Sequence, residues 1–415
     1  MQENRVVVTG LGVISPVGND IPIFWKSLQE GKSGIDKLTT FDASAFDSRI
    51  AGEVKNFDPL AWGLNKKDVH RMERFVQFAI ASTKQAIADS GLDLEKEDRE
   101  RIGVLVGSGI GSLRIVEEEH NVYLKGGPKR ISPFLIPMLI VNEASGQIAI
   151  IHGFRGPNSC TTTACASGNH ALGDAFRIIQ RGDADIMIAG GTESCITHLG
   201  VGGFCALKAL SLRNDQPQKA SRPFDRERDG FVMAEGCGLA ILENLEHAKK
   251  RGAKIYAEVA GFGMSCDAYH MTAPDPQGHG AHLAMKWALA DAKAKAEEVS
   301  YINAHGTSTK LNDKVETLAI KKALGEYAKK VMVSSTKSMT GHQLGAAGGI
   351  EFLVCCLAIK DGVVPPTINY EFPDPDCDLD YVPNTARKTS VNFCLSNSLG
   401  FGGHNATIAV KKFNG

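Results

Sequence analysis

The sequence predicts an α/β fold assembled from two related halves. Short apolar runs rich in β-branched residues alternate with segments of helical period along the whole chain. At 415 residues, 43% hydrophobic and 22% charged, the chain has ordinary globular composition and enough length for a large core. An internal echo supplies the doubling: Val8-Thr9-Gly10-Leu11-Gly12 is matched by Val259-Ala260-Gly261-Phe262-Gly263, each placed at the end of an expected strand.

In chain order the expected strands are Arg5–Thr9, Gly103–Val106, Ile186–Ala189, Leu239–Glu243, Ile255–Ala260 and Val331–Ser334. Each is a short β-branched apolar run. Helical period marks Ala166–Arg181, Ala281–Ala296 and Gln343–Lys360. Residues 66–74 also read as helix, with Lys67, Arg71 and Arg74 on one face and Met72, Phe75, Val76 and Ala79 on the core-facing stripe. A second echo pairs the strand-loop-helix around Cys165 with the one around His342. The two echoes together place a junction near residue 252, giving halves at 1–252 and 253–415, each with one element of the active site.

Composition excludes several classes of function. A net charge of −1 argues against a nucleic-acid or polyanion binder. The strongest apolar run, Phe352–Ile359, stops at Lys360, well short of a membrane span. The first residues enter a strand without a basic-then-apolar leader, so the expected location is cytoplasmic. The ten cysteines are expected as reduced thiols, with no Cys-x-x-Cys pair, and no His-Glu-x-x-His spacing occurs. No protein-held metal is expected. Gly10-Leu11-Gly12 fails as a dinucleotide turn because its third glycine would fall at Ser15, followed by Pro16. Gly107-Ser108-Gly109-Ile110-Gly111 lacks the following Gly-Lys-Ser/Thr of a phosphate loop. Close packing or a pocket wall is the expected use of both.

Chemistry concentrates in three segments. Around Cys165 the chain runs strand-like through Thr161, Thr162 and Thr163 and then turns helical, which places a thiol at a helix N-terminus. The unpaired amides and dipole there are expected to favour thiolate, and Ala166, Ser167 and Gly168 to let a substrate approach. A buried structural cysteine is the alternative, and it suits most of the other nine. The segments Asn303–Thr309 and Ser334–His342 each carry a histidine, His305 and His342, on a small Gly-flanked loop after an expected strand. Lys337 sits in a Ser/Thr-rich strand end that suits a hydrogen-bonded, partly buried ammonium. The run Leu399-Gly400-Phe401-Gly402-Gly403-His404-Asn405 is either a flexible turn or a mobile gate whose backbone N–H groups bind an oxyanion.

These motifs, with Arg222-Pro223-Phe224-Asp225, Arg228-Asp229-Gly230-Phe231 and the Gly341–Gly348 stretch, resemble the β-ketoacyl-[acyl carrier protein] synthases of the elongating type. The resemblance runs from Arg5 to about Lys412. It implies a thiolase-like fold: two βαβαβαββ halves in a five-layered α-β-α-β-α sandwich, normally a homodimer. It implies decarboxylative condensation of acyl- and malonyl-loaded acyl carrier protein without a cofactor. Cys165 would be the nucleophile, His305 and His342 the donors to an enolate, and Cys165 and Phe401 the oxyanion amides. Phe401 would also be the gate, and the Lys337–Glu351 pair would order the site. Thr307, Thr309 and Ile110 would contact substrate. Lys67, Arg71 and Lys208, with Lys129 and Arg130, would meet the acidic carrier protein. Lys310 and Asn312 stand where proline and glycine are frequent, and Leu399 where phenylalanine is frequent. Those departures bear on acyl-chain preference and gate motion. A specialised polyketide ketosynthase, a chain-length-factor-like partner subunit and a Cys/His hydrolase are the competing readings. Cys165 and both histidines argue against the second, and the surplus of partners argues against the third.

Overall fold

A computed structural model describes residues 3–415. The first half runs β1 (Val6–Ile14), α1 (Arg74–Ser90), β2 (Ile102–Gly107), α2 (Glu143–His152), β3 (Asn158–Ser159), α3 (Ser167–Arg181), β4 (Ile186–Glu193) and β5 (Gly236–Asn244). The second runs β6 (Ala257–Cys266), α4 (His279–Asp291), β7 (Tyr301–Asn303), α5 (Lys310–Leu324), β8 (Met332–Ser334), α6 (Ala347–Asp361), β9 (Phe393–Gly400) and β10 (His404–Lys411). Both follow βαβαβαββ. The strand order across the sheet is β8-β7-β9-β10-β6-β1-β5-β4-β2-β3, so each half repeats one arrangement: first, fifth, fourth, second, third. The pairing directions repeat as well, antiparallel for the first two contacts and parallel for the last two.

The halves join where β1 pairs antiparallel with β6 over three residue pairs, Val6–Val259, Val7–Glu258 and Val8–Ala257. Helices α3 and α6 lie between the half-sheets, each touching strands of both, while α1 and α2 cover one outer face and α4 and α5 the other. This is the five-layered thiolase-like α/β architecture. α6 is buried all round from Ala347 to Ile359, as a helix in a central layer must be. That explains its apolar run. No helix among the described residues is long and apolar enough to cross a membrane.

The first echo has a packing cause. In β1 the register skips Thr9, and in the β10–β6 ladder it skips Ala260, so the matched segments carry the same bulge. A side chain on Gly10 or Gly12 would collide with the Ala86 and Ser82 carbonyls of α1, and one on Gly261 or Gly263 with the Ala288 and Ala284 carbonyls of α4. The glycines therefore lie inside their strands, not at the ends as expected, and admit the covering helix to backbone contact. The second echo is also real geometry. Cys165 follows the third strand of its half and His342 the third strand of the other.

Three expectations need correction. The Gln343–Lys360 helix opens as a 3-10 turn at Leu344–Ala346 before α6 begins, and the Ala281–Ala296 helix stops at Asp291. The helix expected over 66–74 is broken: a short one ends at Val69 under an Asn65 cap, and α1 restarts at Arg74. The break turns Arg74 inward, where it bonds Glu235 at 2.8 Å and the Val54 carbonyl at 3.0 Å. Lys67, Arg71 and Arg74 therefore share no single helical face.

Candidate active site

The turn before α3 is strained and pinned. Ala164 adopts φ +50°, a left-handed conformation that costs a non-glycine residue about 1 kcal/mol or more. Ser167 holds it: its hydroxyl donates to the Ala164 carbonyl at 2.6 Å and accepts from the Thr163 amide at 2.9 Å. Ala166, Ser167 and Gly168 do not line a substrate path. All three are buried, and a side chain at Gly168 would lie 2.6 Å from the Gly349 amide of α6. Their small size lets the two halves touch beside Cys165.

That contact brings the three segments together. His342 Nε2 lies 3.1 Å from Cys165 Sγ, and the two histidine rings stand nearly perpendicular with centroids 5.3 Å apart. The thiol and one nitrogen of each ring all fall within 4.8 Å of one another. Lys337 forms a buried ion pair with Glu351 and reaches His305 Nδ1 at 3.5 Å. An ammonium only donates, so Nδ1 of His305 accepts and its hydrogen sits on Nε2. His342 Nδ1 is buried with no partner among the described residues. An orphaned acceptor is tolerated better than an orphaned N–H, so its hydrogen is assigned to Nε2 as well.

Burial sets the protonation states. It drives the pKa of both His305 and His342 well below the ordinary 6.5, with the Lys337 charge adding to the effect, so both imidazoles are neutral at pH 7. Burial also pushes the Cys165 thiol up to about 12, against a smaller opposing pull from Lys337. This overturns the expected resting thiolate. Part of the Cys165 surface still meets the cavity, but protein encloses the sulfur too closely for the helix terminus to offset lost solvation. Glu351 rises to about 7, chiefly through burial, with Lys337 opposing.

The lowered histidine pKa values have a signed consequence. An unfolded chain takes up protons that the native histidines refuse, so their contribution to stability is present above about pH 6.5 and is lost on acidification. Between pH 7.5 and 5.5 each should cost the wild type about 1 kcal/mol that a His305→Gln/His342→Gln variant does not lose. Thermal melts at the two pH values check this. An equal drop in Tm for both proteins would contradict it.

A cavity of about 380 Å³ opens onto the cluster, lined by Cys165, His305, His342, Thr307, Thr309 and Phe401. The threonine hydroxyls lie 3.0 Å apart. Phe401 sits in the β9–β10 turn, where Gly402 and Gly403 have φ of +86° and +76°. Among the described residues neither the Cys165 amide nor the Phe401 amide donates to a backbone carbonyl. Gly400 abuts the turn at Cys165, for a side chain there would lie 3.3 Å from the Cys165 amide. Lys208 lines the cavity mouth. Ile110 does not line this cavity; like Cys165, Phe204 and Cys205 it packs against the apolar cluster that includes Leu344 and Phe231. Lys67 and Arg71 are exposed away from it, the Arg71 guanidinium lying 4.6 Å over the Phe134 ring.

Buried carboxylates escaped the sequence reading. Glu316 accepts from the His305 and Gly306 amides, each at 2.8 Å, and so fixes the His305 loop. Asp313 accepts from the Phe224 amide at 2.8 Å and lies 3.6 Å from Arg228. Their signal was present: acids in the opening turns of a helix capped by Thr309. Arg222–Asp225 and Arg228–Asp374 are ion pairs that build the wall behind that helix.

A Cys/His/His cluster at the seam of a doubled α/β sandwich defines a thiolase-like enzyme. Residues 3–248 match the family model "Beta-ketoacyl synthase, N-terminal domain", and residues 256–371 match "Beta-ketoacyl synthase, C-terminal domain". The chain belongs to the β-ketoacyl synthase family. It is 56% identical over 413 residues to a 3-oxoacyl-[acyl-carrier-protein] synthase 2 of Synechocystis, covering 100% of this chain and 99% of that one. A protein of the same name from Coxiella burnetii is 53% identical, with 99% of each chain covered. A solved type II PKS acyl-carrier protein in complex with its ketosynthase, bound to the hexaketide, matches with a TM-score of 0.93 at 40% identity over the full length of both chains. A β-ketoacyl synthase from Burkholderia phymatum matches at 0.92 and 33%, covering 99% of this chain and 100% of that one.

Proposed function

We propose that this protein is a 3-oxoacyl-[acyl-carrier-protein] synthase that elongates fatty acyl chains in the cytoplasm by decarboxylative condensation. The observation that carries the reading is the pair of neutral imidazoles against Cys165, one at 3.1 Å. Cys165 Sγ attacks the carbonyl of an acyl thioester; the bond from the carbonyl carbon to the pantetheine sulfur breaks, and the departing sulfur takes the proton that the thiol gives up. The Nε2–H of His342 steadies the sulfur as its charge develops. The amides of Cys165 and Phe401 receive the oxyanion. Malonyl thioester then enters the emptied cavity, held through Thr307 and Thr309, and its carboxylate leaves as carbon dioxide. The electron pair left behind forms an enolate, whose oxygen accepts from Nε2–H of His305 and His342. The enolate carbon attacks the Cys165 thioester, the C–S bond breaks, the released Cys165 sulfur takes up a proton from water, and a 3-oxoacyl product two carbons longer departs. Loss of carbon dioxide drives the step, so no redox cofactor is required. Lys337, paired with Glu351, fixes the His305 tautomer, Phe401 gates the two half-reactions, and Ile110 backs the acyl chain.

Mixing the enzyme with acyl- and malonyl-loaded carrier protein should release carbon dioxide and yield the two-carbon-longer 3-oxoacyl product by mass spectrometry. Free fatty acid with no chain extension would sink the reading. Products built from several malonyl units would favour the polyketide alternative.

An acidic carrier protein fits the basic residues Lys67, Arg71 and Lys208, with Lys129 and Arg130 further candidates. Lys208, exposed at the cavity mouth, is the best placed. Lys67→Glu combined with Lys208→Glu should raise KM for the acyl-carrier protein several-fold while leaving a short acyl-pantetheine substrate nearly unaffected. Salt should weaken only the former in the wild type. Equal losses on both substrates would remove these residues from docking.

A second copy of the chain is the expected neighbour at the β3 edge. That strand ends the sheet, and Ile150 of α2, the helix packed against it, is 72% exposed, an apolar position that a symmetric pairing of two edges would cover.

A further inference from the structure

We infer that Glu193 is a positioning residue that fixes the Ser108–Ile110 loop of the first half to Gly345 of the second, and so sets the shape of the acyl pocket beside Cys165. The inference rests on the condensing reading above and deepens it.

Glu193 ends β4 and is fully buried. One carboxylate oxygen accepts from the Ser108 hydroxyl at 2.9 Å and from the Ile110 amide at 3.4 Å. The other accepts from the Gly109 amide at 2.8 Å and the Gly345 amide at 3.0 Å. Every polar partner is a donor. The Ser108 hydroxyl donates to Glu193 while its oxygen accepts from the Gly111 amide at 3.2 Å. Three backbone N–H groups converge on the carboxyl, and these donors favour the carboxylate over the protonated form. Glu193 makes no ion pair among the described residues; backbone amides, the Ser108 hydroxyl and, at 3.7 Å, the Cys195 thiol are the donors that hold this buried charge. Burial raises its pKa, and the same four donors pull it back.

The two ends of the network explain its use. Ile110 packs in one apolar cluster with Cys165, Phe204 and Leu344. Gly345 lies three residues beyond His342 in the turn leading to α6, next to Leu344 at φ +50°. Each glycine is required at the contact, since a side chain at Gly109 or Gly345 would lie 2.9 or 2.7 Å from Glu193 Oε2. The second half solves the same problem in the same way: Glu316 clasps the loop after β7 through the His305 and Gly306 amides, as Glu193 clasps the loop after β2. One carboxylate thus holds a catalytic loop and the other the loop behind the acyl chain. Glu193 differs in bridging the halves, so loosening it moves the pocket and the turn after His342 together. Its charge also opposes ionisation of Cys165.

Three variants test this. Glu193→Gln removes the charge and turns an NH₂ group toward donors. Glu193→Asp keeps the charge but cannot reach both loops. Ser108→Ala removes one donor and leaves the charge. Two readouts apply: the chain-length profile with graded acyl-carrier substrates, and the rate of Cys165 alkylation by iodoacetamide at pH 8. All three variants should shift or broaden the length profile. Glu193→Gln alone should alkylate about threefold faster, equivalent to a half-unit fall in the thiol pKa. Wild-type length profiles for Ser108→Ala and Glu193→Asp overturn the inference, even if Glu193→Gln fails to fold. So does an unchanged alkylation rate in a folded Glu193→Gln with the wild-type profile. A wild-type enzyme that extends no chain, by contrast, overturns the condensing reading, while the alkylation rates still report on Glu193.

Discussion

Cys165→Ser is expected to lose condensation by at least about three orders of magnitude, because the weaker hydroxyl nucleophile sits in the same buried, undissociated state as the thiol it replaces. Cys165→Gln should separate the half-reactions. Its side-chain amide resembles the acyl thioester carbonyl and fills the space beside His342. The variant should therefore release carbon dioxide from malonyl-carrier protein while forming no longer chain. Carbon dioxide release and product mass, measured on one sample, check both statements. A Cys165→Ser protein with wild-type condensation, or a Cys165→Gln protein that condenses, would move the nucleophile elsewhere.

The histidines should show the next largest effect. In the proposed mechanism each supplies one Nε2–H to the enolate, and losing one such donor costs about 3–4 kcal/mol, or roughly 10²–10³ in rate. His305→Ala and His342→Ala should each lose decarboxylation on that scale. Geometry separates them further. His342 alone lies 3.1 Å from the thiol, whereas His305 meets Lys337 at its far nitrogen. Loss of His342 should therefore slow acylation of Cys165 too, while His305→Ala should still accumulate the acyl-enzyme in intact-mass spectra. Normal carbon dioxide release by either variant, or equal acylation defects in both, would reverse these assignments.

The sequence carried much of this architecture because the elements that build the site are local. Thr9 and Ala260 sit in matching glycine-bounded segments since both bulge against a covering helix, and that repeat was visible as residues. Cys165, His305 and His342 each follow a strand on a loop of small residues, which periodicity and composition mark. The missing parts are non-local. Burial, not chain position, decides that the Cys165 thiol is protonated, and no spacing rule expresses how closely protein surrounds one sulfur. The 66–74 helix breaks because Arg74 reaches Glu235 across 161 positions of sequence. Glu193 and Glu316 read as ordinary strand-end and helix acids until the fold places backbone amides around them. Ile110 is displaced from the open cavity by packing that only the assembled halves define.

The central claim is that Cys165 carries the growing chain as a thioester and surrenders it to carbon. The most direct test is a two-stage mass measurement on the wild-type enzyme. Acyl-carrier protein alone should add one acyl group, mapped by proteolysis to the peptide holding Cys165 and to none of the other nine cysteines. Malonyl-carrier protein added second should clear that adduct and produce a 3-oxoacyl chain two carbons longer in equal amount. An adduct on another residue, or an adduct cleared as free fatty acid without extension, would contradict it.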